Sequence, residues 1–320
     1  MTEIAPRPYE PDVAVPPGAT ILELIEAKGM TQQQLAERMG RPPNKINEIL
    51  HGKRAITVET ALELELVLGL PAAYWLEREK SYQLAKARLA AEAGFQARSE
   101  TLKKYPVAAM VKLGWIKRGT TLAAQIRELL AFFGVASPAQ LDKPAVLVPS
   151  FRKSLMKQSC PYALAAWVHR GIREAERIDT QPFSAPGLRS VLPKLRALTT
   201  KTLDHFALRI VELCAAHGVA VVFVPHLPKT YASGAAFWVG DKAVVQLRPR
   251  SHEDGQFWFS FFHEVGHILL HGKKKAFLDD FKTDDSEQER EANAFAAGHL
   301  IPDANYARLA DLLPAASSRR

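Results

Sequence analysis

The rhythm of apolar positions changes near residue 80 and again near residue 200. Between residues 19 and 80, apolar residues recur at helical spacing in five short patterns. Thr31 to Gln34 reads TQQQ, a capping box with Gln at the third helical position. Leu35 and Met39 follow as its inward face, and Gly40 closes the turn. Pro42-Pro43 opens the next helix, where proline is tolerated because the first turn has no intrahelical N–H bond to lose. Ile46, Ile49 and Leu50 point inward, Asn44, Lys45, Asn47 and Glu48 point outward, and His51 to Arg54 end the helix. Glu59, Glu63 and Glu65 read as a solvated face of the helix after it. Residues 81–200 continue helical, punctuated at Tyr105-Pro106, Ser137-Pro138 and Gln181 to Gly187. Their aromatics, Trp115, Phe132, Phe133, Phe151 and Trp167, read as core, while Arg152, Lys153 and Lys157 form a basic cluster with no assigned role. After residue 200 a helix over Thr202 to His217 buries Leu203, Ile210, Leu213 and Cys214 on one face, and Gly218 caps it. Val219 to Val224 reads as a buried strand. Ala235 to Val239 and Lys242 to Leu247 flank Gly240-Asp241 as a hairpin, and two further helices follow. The expected organisation is a disordered proline-rich tail (1–18), a five-helix module (19–80), a helical middle of unknown role (81–200), a mixed α+β domain (201–310) and a loose end (311–320).

Composition narrows this picture. A chain of 320 residues with 47% apolar residues has material for two or three cored domains and is not a disordered chain. The net charge of +8 makes an anionic partner plausible and says nothing about fold. With only two cysteines, Cys160 and Cys214, four-thiolate zinc modules and multi-bridge disulfide frameworks are excluded, and a reducing cytoplasm is the expected location. Clean apolar stretches such as Val219 to Val224 fall far short of the roughly 20 residues a membrane helix needs, so no membrane is expected. Met1 to Pro17 lacks the apolar region of a signal peptide.

The chemistry lies in the last two helices. Phe257 to Leu270 reads FWFSFFHEVGHILL, apolar nearly all round except for His263, Glu264 and His267. Burying such groups costs several kcal/mol unless something pairs with them, and a metal ion is an economical partner. His263 and His267, four residues apart, project from one helical face, and neutral imidazoles are natural zinc ligands. Glu264 stands one step round the helix, where it can act as the base for a water nucleophile. A catalytic zinc wants a third protein ligand and an open position. The elongated HExxHxxGxxH pattern fails because Leu270 and Lys273 stand where Gly and His are required. His271 is one turn further along and drifts away from the metal. A glutamate from the second helix, Glu287 to Leu300, remains: Glu289 lies on the flank of the Ala292, Phe295, Ala296, Leu300 face, with Glu291 the next choice.

HEVGHILLHG followed by EREANAFAAGHLIP resembles the ImmA/IrrE metallopeptidases, a gluzincin-like group, over about residues 200–305. In that family a Glu-x-x-(Ala/Cys)-Asn segment supplies the third zinc ligand, and Glu289, Ala292 and Asn293 match it. The polar His299, in the stretch after the ligand helix, is unusual for the family. The resemblance implies a small zincin-like α+β fold, Zn2+ held by His263, His267 and Glu289, Glu264 as catalytic base, and proteolysis of a repressor protein. Zincin-like peptidases take substrate as an added edge strand, and Ala235 to Val239 or Lys242 to Leu247 could be that edge, with a plain core hairpin an equal reading for either strand. For an oxyanion stabiliser, Tyr231 and His252 qualify by chain position only.

The segment GMTQQQLAERMGRPPNKINEILHGKRAIT resembles the XRE helix-turn-helix type, and most closely its HigA antidote subgroup, over about residues 18–78. Gln32, Asn44, Lys45 and Asn47 carry over by match as DNA-binding residues. Asparagine can pair with adenine edges, and Lys45, Lys53 and Arg54 can contact phosphates. The expectation is a mostly α chain: a DNA-binding helix-turn-helix, a helical middle and a C-terminal zinc metallo-endopeptidase acting on a partner regulatory protein. Paired half-sites on operator DNA imply a homodimer. The alternative is a HigA-like antitoxin and repressor, partnered by a toxin, whose zinc-site domain is non-catalytic and serves partner binding or sensing.

Overall fold

The computed structural model describes residues 13–96, 99–143, 159–201, 203–249, 254–273, 277–279, 286–301 and 305. Most of the expected N-terminal tail, the end at 311–320, Phe151, the cluster of Arg152, Lys153 and Lys157, and His252 lie outside the described residues. The chain divides into two compact units, Met1–Ala97 and Arg98–Arg320.

The first unit is five helices: α1 (Pro17–Ala27), α2 (Gln32–Arg38), α3 (Pro43–Leu50), α4 (Val58–Leu68) and α5 (Ala72–Gln96). Thr31 and Gln34 form the expected reciprocal capping box at the start of α2. Thr57 caps α4 with its hydroxyl alone, accepting from the backbone N–H of Thr60, and Gly69, in the left-handed region, ends it. Ile21, Leu35, Ile46, Ile49, Leu64 and Trp75 are buried together as the core. Each such side chain contributes about 1.5–3 kcal/mol through burial. Helices α1 and α3 meet backbone to backbone at Gly18, where a Cβ would stand 2.0 Å from the carbonyl oxygen of Leu50. Only a glycine allows that approach. Helix α5 runs on past residue 80, because nothing between Ser81 and Gln96 breaks it until Gly94. The boundary expected at residue 80 therefore falls inside a helix. The glutamates of α4 are also not all a solvated face: Glu63 takes two hydrogen bonds from Arg41, and Glu65 accepts from the backbone N–H of Ala72.

The second unit begins with short helices α6 (Ser99–Lys104), α7 (Val107–Lys112), α8 (Leu122–Phe133) and α9 (Pro138–Leu141). Then come α10 (Pro161–Glu176), α11 (Ala185–Ala197), a 3-10 turn (Leu198–Thr200) and α12 (Leu203–Ala215). The remainder is β1 (Val219–Phe223), β2 (Gly234–Val239), β3 (Lys242–Leu247), α13 (Asp254–His271), β4 (Phe277–Asp279) and α14 (Glu287–Leu300). The described strands form one sheet in the order β1-β3-β2-β4. β1 runs parallel to β3, and β2 is antiparallel to both β3 and β4. The hairpin turn sits at Gly240-Asp241 as expected, with Gly240 at φ 60°.

Both faces of this sheet are covered, which explains its near-continuous apolar strands. Val219, Val221, Ala243, Val245 and Leu247 pack into the core with Phe257, Phe261, Phe262 and Val265 of α13. The alternate positions face α10, as the two-residue period of a strand requires. There Gln246 donates to the carbonyl of Trp167, a Cβ at Gly171 would meet the Gln246 side chain, and the Trp167 indole donates to the carbonyl of Val224. The helical middle thus supplies one layer of the sheet's packing. Trp115, Phe132, Phe133 and Trp167 are buried, as their apolar setting implied.

Candidate functional site

Helix α13 is buried on every side, so its polar residues sit inside the protein. His263 is 1% exposed, Glu264 0% and His267 1%. The helix packs against the sheet on one side and against α14 on the other. The second contact is close because Ala292 and Ala296 are small and fully buried, and because a Cβ at Gly266 would crowd the Phe295 ring at 3.1 Å. Ser286 caps α14 by accepting from the backbone N–H of Glu289, which fixes the first turn of the helix at the site.

This packing brings His263, His267 and Glu289 together, with their potential ligand atoms within 4.8 Å of one another. The two Nε2 atoms are 2.9 Å apart. Glu289 reaches His263 Nε2 at 3.1 Å and His267 Nε2 at 3.4 Å. Asn293, one turn along α14, accepts a hydrogen bond at its Oδ1 from His263 Nδ1 at 3.0 Å. That bond keeps a proton on Nδ1, so it is Nε2 that His263 can turn over to a metal. Burial holds His267 below the usual histidine range, with Glu289 opposing and His263 reinforcing. For Glu289, burial pushes upward, but the hydrogen bonds of His263 and His267 prevail and bring it down to about 2. Two imidazoles and one ionised carboxylate converging from buried helices fit a divalent cation of the zinc kind.

The other candidates for this cluster lie elsewhere. The Nε2 of His271 bonds the carbonyl of Gln288 at 3.2 Å, and its Nδ1 faces Glu291 at 3.6 Å. His299 donates from Nδ1 to the carbonyl of Phe295 and stacks on the Phe295 ring. Among the described residues the cluster therefore has three members. Glu264 lies under the first residue of β2: a Cβ at Gly234 would stand 2.5 Å from Glu264 Oε1. Sequence reading missed Gly234, because a glycine opening a strand carries no signal of what presses on it. Tyr231 is exposed at 57%, and its backbone N–H bonds Ser159. For Lys242 to Leu247 the core reading of the hairpin holds. β3 is central, between β1 and β2, and β2 is flanked by β3 and, over Gly234 to Ala236, by β4. A two-residue turn predicts that two strands pair but not what lies beyond them.

In the first unit, α2 and α3 form the helix-turn-helix pair. Gln32 opens α2, and Asn44, Lys45 and Asn47 lie along α3. Gln32, Asn44, Asn47, Lys53 and Arg54 are exposed. Lys45 and Arg54 both approach Glu48, at 3.2 and 3.8 Å. Ile46, Ile49 and Leu50 hold the opposite face of α3 in the core.

Residues 214–313 match the IrrE N-terminal-like domain, a peptidase family, and residues 21–75 match the helix-turn-helix family. Over 75 residues the chain is 35% identical to virulence-associated protein I of Dichelobacter nodosus, covering 23% of this chain and 69% of that protein. The chain belongs to the helix-turn-helix family. Over 71 residues it is also 31% identical to the uncharacterised HTH-type transcriptional regulator YddM of Escherichia coli K12, covering 22% of this chain and 76% of that one. Among solved structures, a HigA-family addiction module antidote protein from Coxiella burnetii is similar at 29% identity and a TM-score of 0.24, covering 26% of this chain and 92% of that one. Both resemblances seen in the sequence are borne out: an XRE-type helix-turn-helix stands at the N-terminus and an IrrE-like domain at the C-terminus. The chain is a DNA-binding regulator that carries a domain of a peptidase family. No described helix is long and apolar enough to cross a membrane.

Proposed function

We propose that the IrrE-like domain is a zinc-dependent endopeptidase that hydrolyses a peptide bond in a partner regulatory protein, and that the helix-turn-helix brings this activity to operator DNA. The observation that carries the reading is the three-member cluster of His263, His267 and Glu289 with Glu264 buried beside it. A site built only to hold structure would be closed by a fourth ligand and would need no base. His271 and His299, the candidates for such a ligand, are engaged elsewhere.

In this reading His263, His267 and Glu289 hold Zn2+, and Asn293 keeps His263 in the ligating tautomer. When bound, the metal supplies the Lewis acidity that makes water nucleophilic near neutral pH. Glu264 takes the proton of the attacking water on its carboxylate and returns it to the leaving amine. The Gly234 backbone above Glu264 fixes where that carboxylate can stand. On the DNA side, Asn44 and Asn47 read base edges, while Gln32, Lys45, Lys53 and Arg54 contact the backbone, as a dimer on two half-sites in the cytoplasm.

The test is to incubate the zinc-loaded protein with a panel of candidate partner repressors, with Glu264→Gln as control, and to measure bound zinc in both. Expected is cleavage by the wild type only, with equal zinc content. Equal cleavage by both proteins, or no zinc bound by either, sinks the reading.

A further inference from the structure

The second unit carries an open cavity of about 440 Å³ at the opposite border of the sheet from β4. Its walls are Leu113 and Trp115, the face of α10 that carries Arg170, Glu174 and Arg177, and strand β1 with Pro225 beyond it. Strand β3 lies between β1 and the strand that covers Glu264, so the cavity is separate from the metal-ligand cluster. Its volume is in the range of small-molecule sites, and its walls are polar and apolar in about equal measure, with the charged groups gathered on α10.

The charges on its wall do not balance. Arg170 and Arg177 both reach the single carboxylate of Glu174, at 2.5 and 3.0 Å. Arg170 is also held in place by the Trp115 ring, 5.9 Å from the guanidinium to the ring centre. Arg173 stands on the same helix, its guanidinium over Phe132. Burial, and then the repulsion from Arg177 and Arg173, hold Arg170 below the usual arginine value despite the pull of Glu174. An incoming anion would relieve this crowding. Guanidinium groups fixed by an aromatic face and a neighbouring carboxylate are already arranged for a planar or tetrahedral acid group.

We propose that this cavity binds a small organic acid, with its anionic head at Arg170 and Arg177 and its apolar body against Trp115 and β1. The ligand would bridge α10 and β1, that is, the helical middle and the sheet that carries the peptidase-family site. This gives the helical middle a role as a ligand-responsive element. The inference stands apart from the metal site, and its test is read on metal-free protein.

The probe is 8-anilinonaphthalene-1-sulfonate, titrated into the full chain and followed by its fluorescence, with N-phenyl-1-naphthylamine as the same ring system without the sulfonate. Four outcomes support the proposal. The sulfonate binds at one high-affinity site per chain, and the neutral amine binds at least tenfold more weakly. Arg177→Gln, at an exposed position that does not support the core, weakens the sulfonate about tenfold. Glu174→Gln, which removes the competing carboxylate, strengthens it severalfold. Leu113→Trp, which fills the cavity, removes the site. Equal affinity for the neutral amine, or sulfonate affinity unmoved by both Arg177→Gln and Glu174→Gln, overturns it.

Discussion

Helices α3 and α13 both carry polar residues at regular spacing, but they place them on opposite sides of the protein surface. On α3, Asn44 and Asn47 face solvent while Ile46, Ile49 and Leu50 fill the core, so the polar face costs the fold nothing and is free to meet a partner. On α13, His263, Glu264 and His267 are as buried as the phenylalanines around them. The packing of α14 supplies Glu289 and Asn293 to the two histidines, and β2 lays the backbone of Gly234 against Glu264. The difference teaches where substitutions should register. In the first unit they should change binding and leave stability alone. In the second they should change chemistry and metal affinity through neighbours that never touch substrate.

The largest effect expected from such a neighbour is at Gly234. In Gly234→Ala the added methyl occupies the place of the Glu264 carboxylate. Peptide cleavage should fall by about 100-fold, the usual worth of a general base, while zinc content measured by mass spectrometry stays at the wild-type level. A variant of full activity would show that Glu264 has room to move aside. Next comes Asn293→Ala, which removes the acceptor that sets the tautomer of His263. Zinc affinity should weaken about 10- to 100-fold in a chelator competition, and unchanged affinity would mean that His263 is oriented by packing alone.

These two sites mark the limit of what a single sequence conveys. Burial of α13 was legible because its apolar residues leave no polar face, and Glu289 was legible because Ala292 and Ala296 marked the face of α14 that must approach. The hairpin at Gly240-Asp241 was equally clear, since its turn chemistry is local. Gly234 was not legible, because its role depends on a residue 30 positions away across a packed interface. The order β1-β3-β2-β4 was hidden for the same reason: a period of two says which side chains share a face, not which strand lies beside them. The run of α5 to Gln96 and the cover of the sheet by α10 escaped because helical periodicity reports an apolar stripe without naming what it packs on.

The contrast between the two kinds of polar residue also has a pH signature. His169, among the rings of Phe132 and Phe133, is pushed by burial down to about 4, against an ordinary value of 6.5, with the carbonyl of Phe132 opposing. The folded state therefore binds this proton less readily than the unfolded chain. Stability is complete above pH 6.5 and declines as pH falls from 6.5 towards 4, by about 1–3 kcal/mol once partial exposure is allowed for. Denaturant midpoints at pH 7 and pH 4.5 should show this loss, and His169→Phe should reduce it. An identical loss in the variant would assign it to other groups. The smallest expected effect is in the first unit. Asn47→Ala should leave the unfolding free energy within about 0.5 kcal/mol of the wild type. If Asn47 reads a base, operator binding in a gel shift should weaken by about 1–3 kcal/mol. A destabilised Asn47→Ala would erase the contrast between the two helices.

The most direct measurement is cleavage of a candidate partner repressor by zinc-loaded wild-type protein and by Glu264→Gln, at matched zinc content. If the buried polar residues of α13 form a catalytic site, the wild type yields a single cut product and Glu264→Gln slows its appearance by about 100- to 10,000-fold. Equal rates in the two proteins would contradict a catalytic role for Glu264, and with it the reading of α13 and α14 as a peptidase centre.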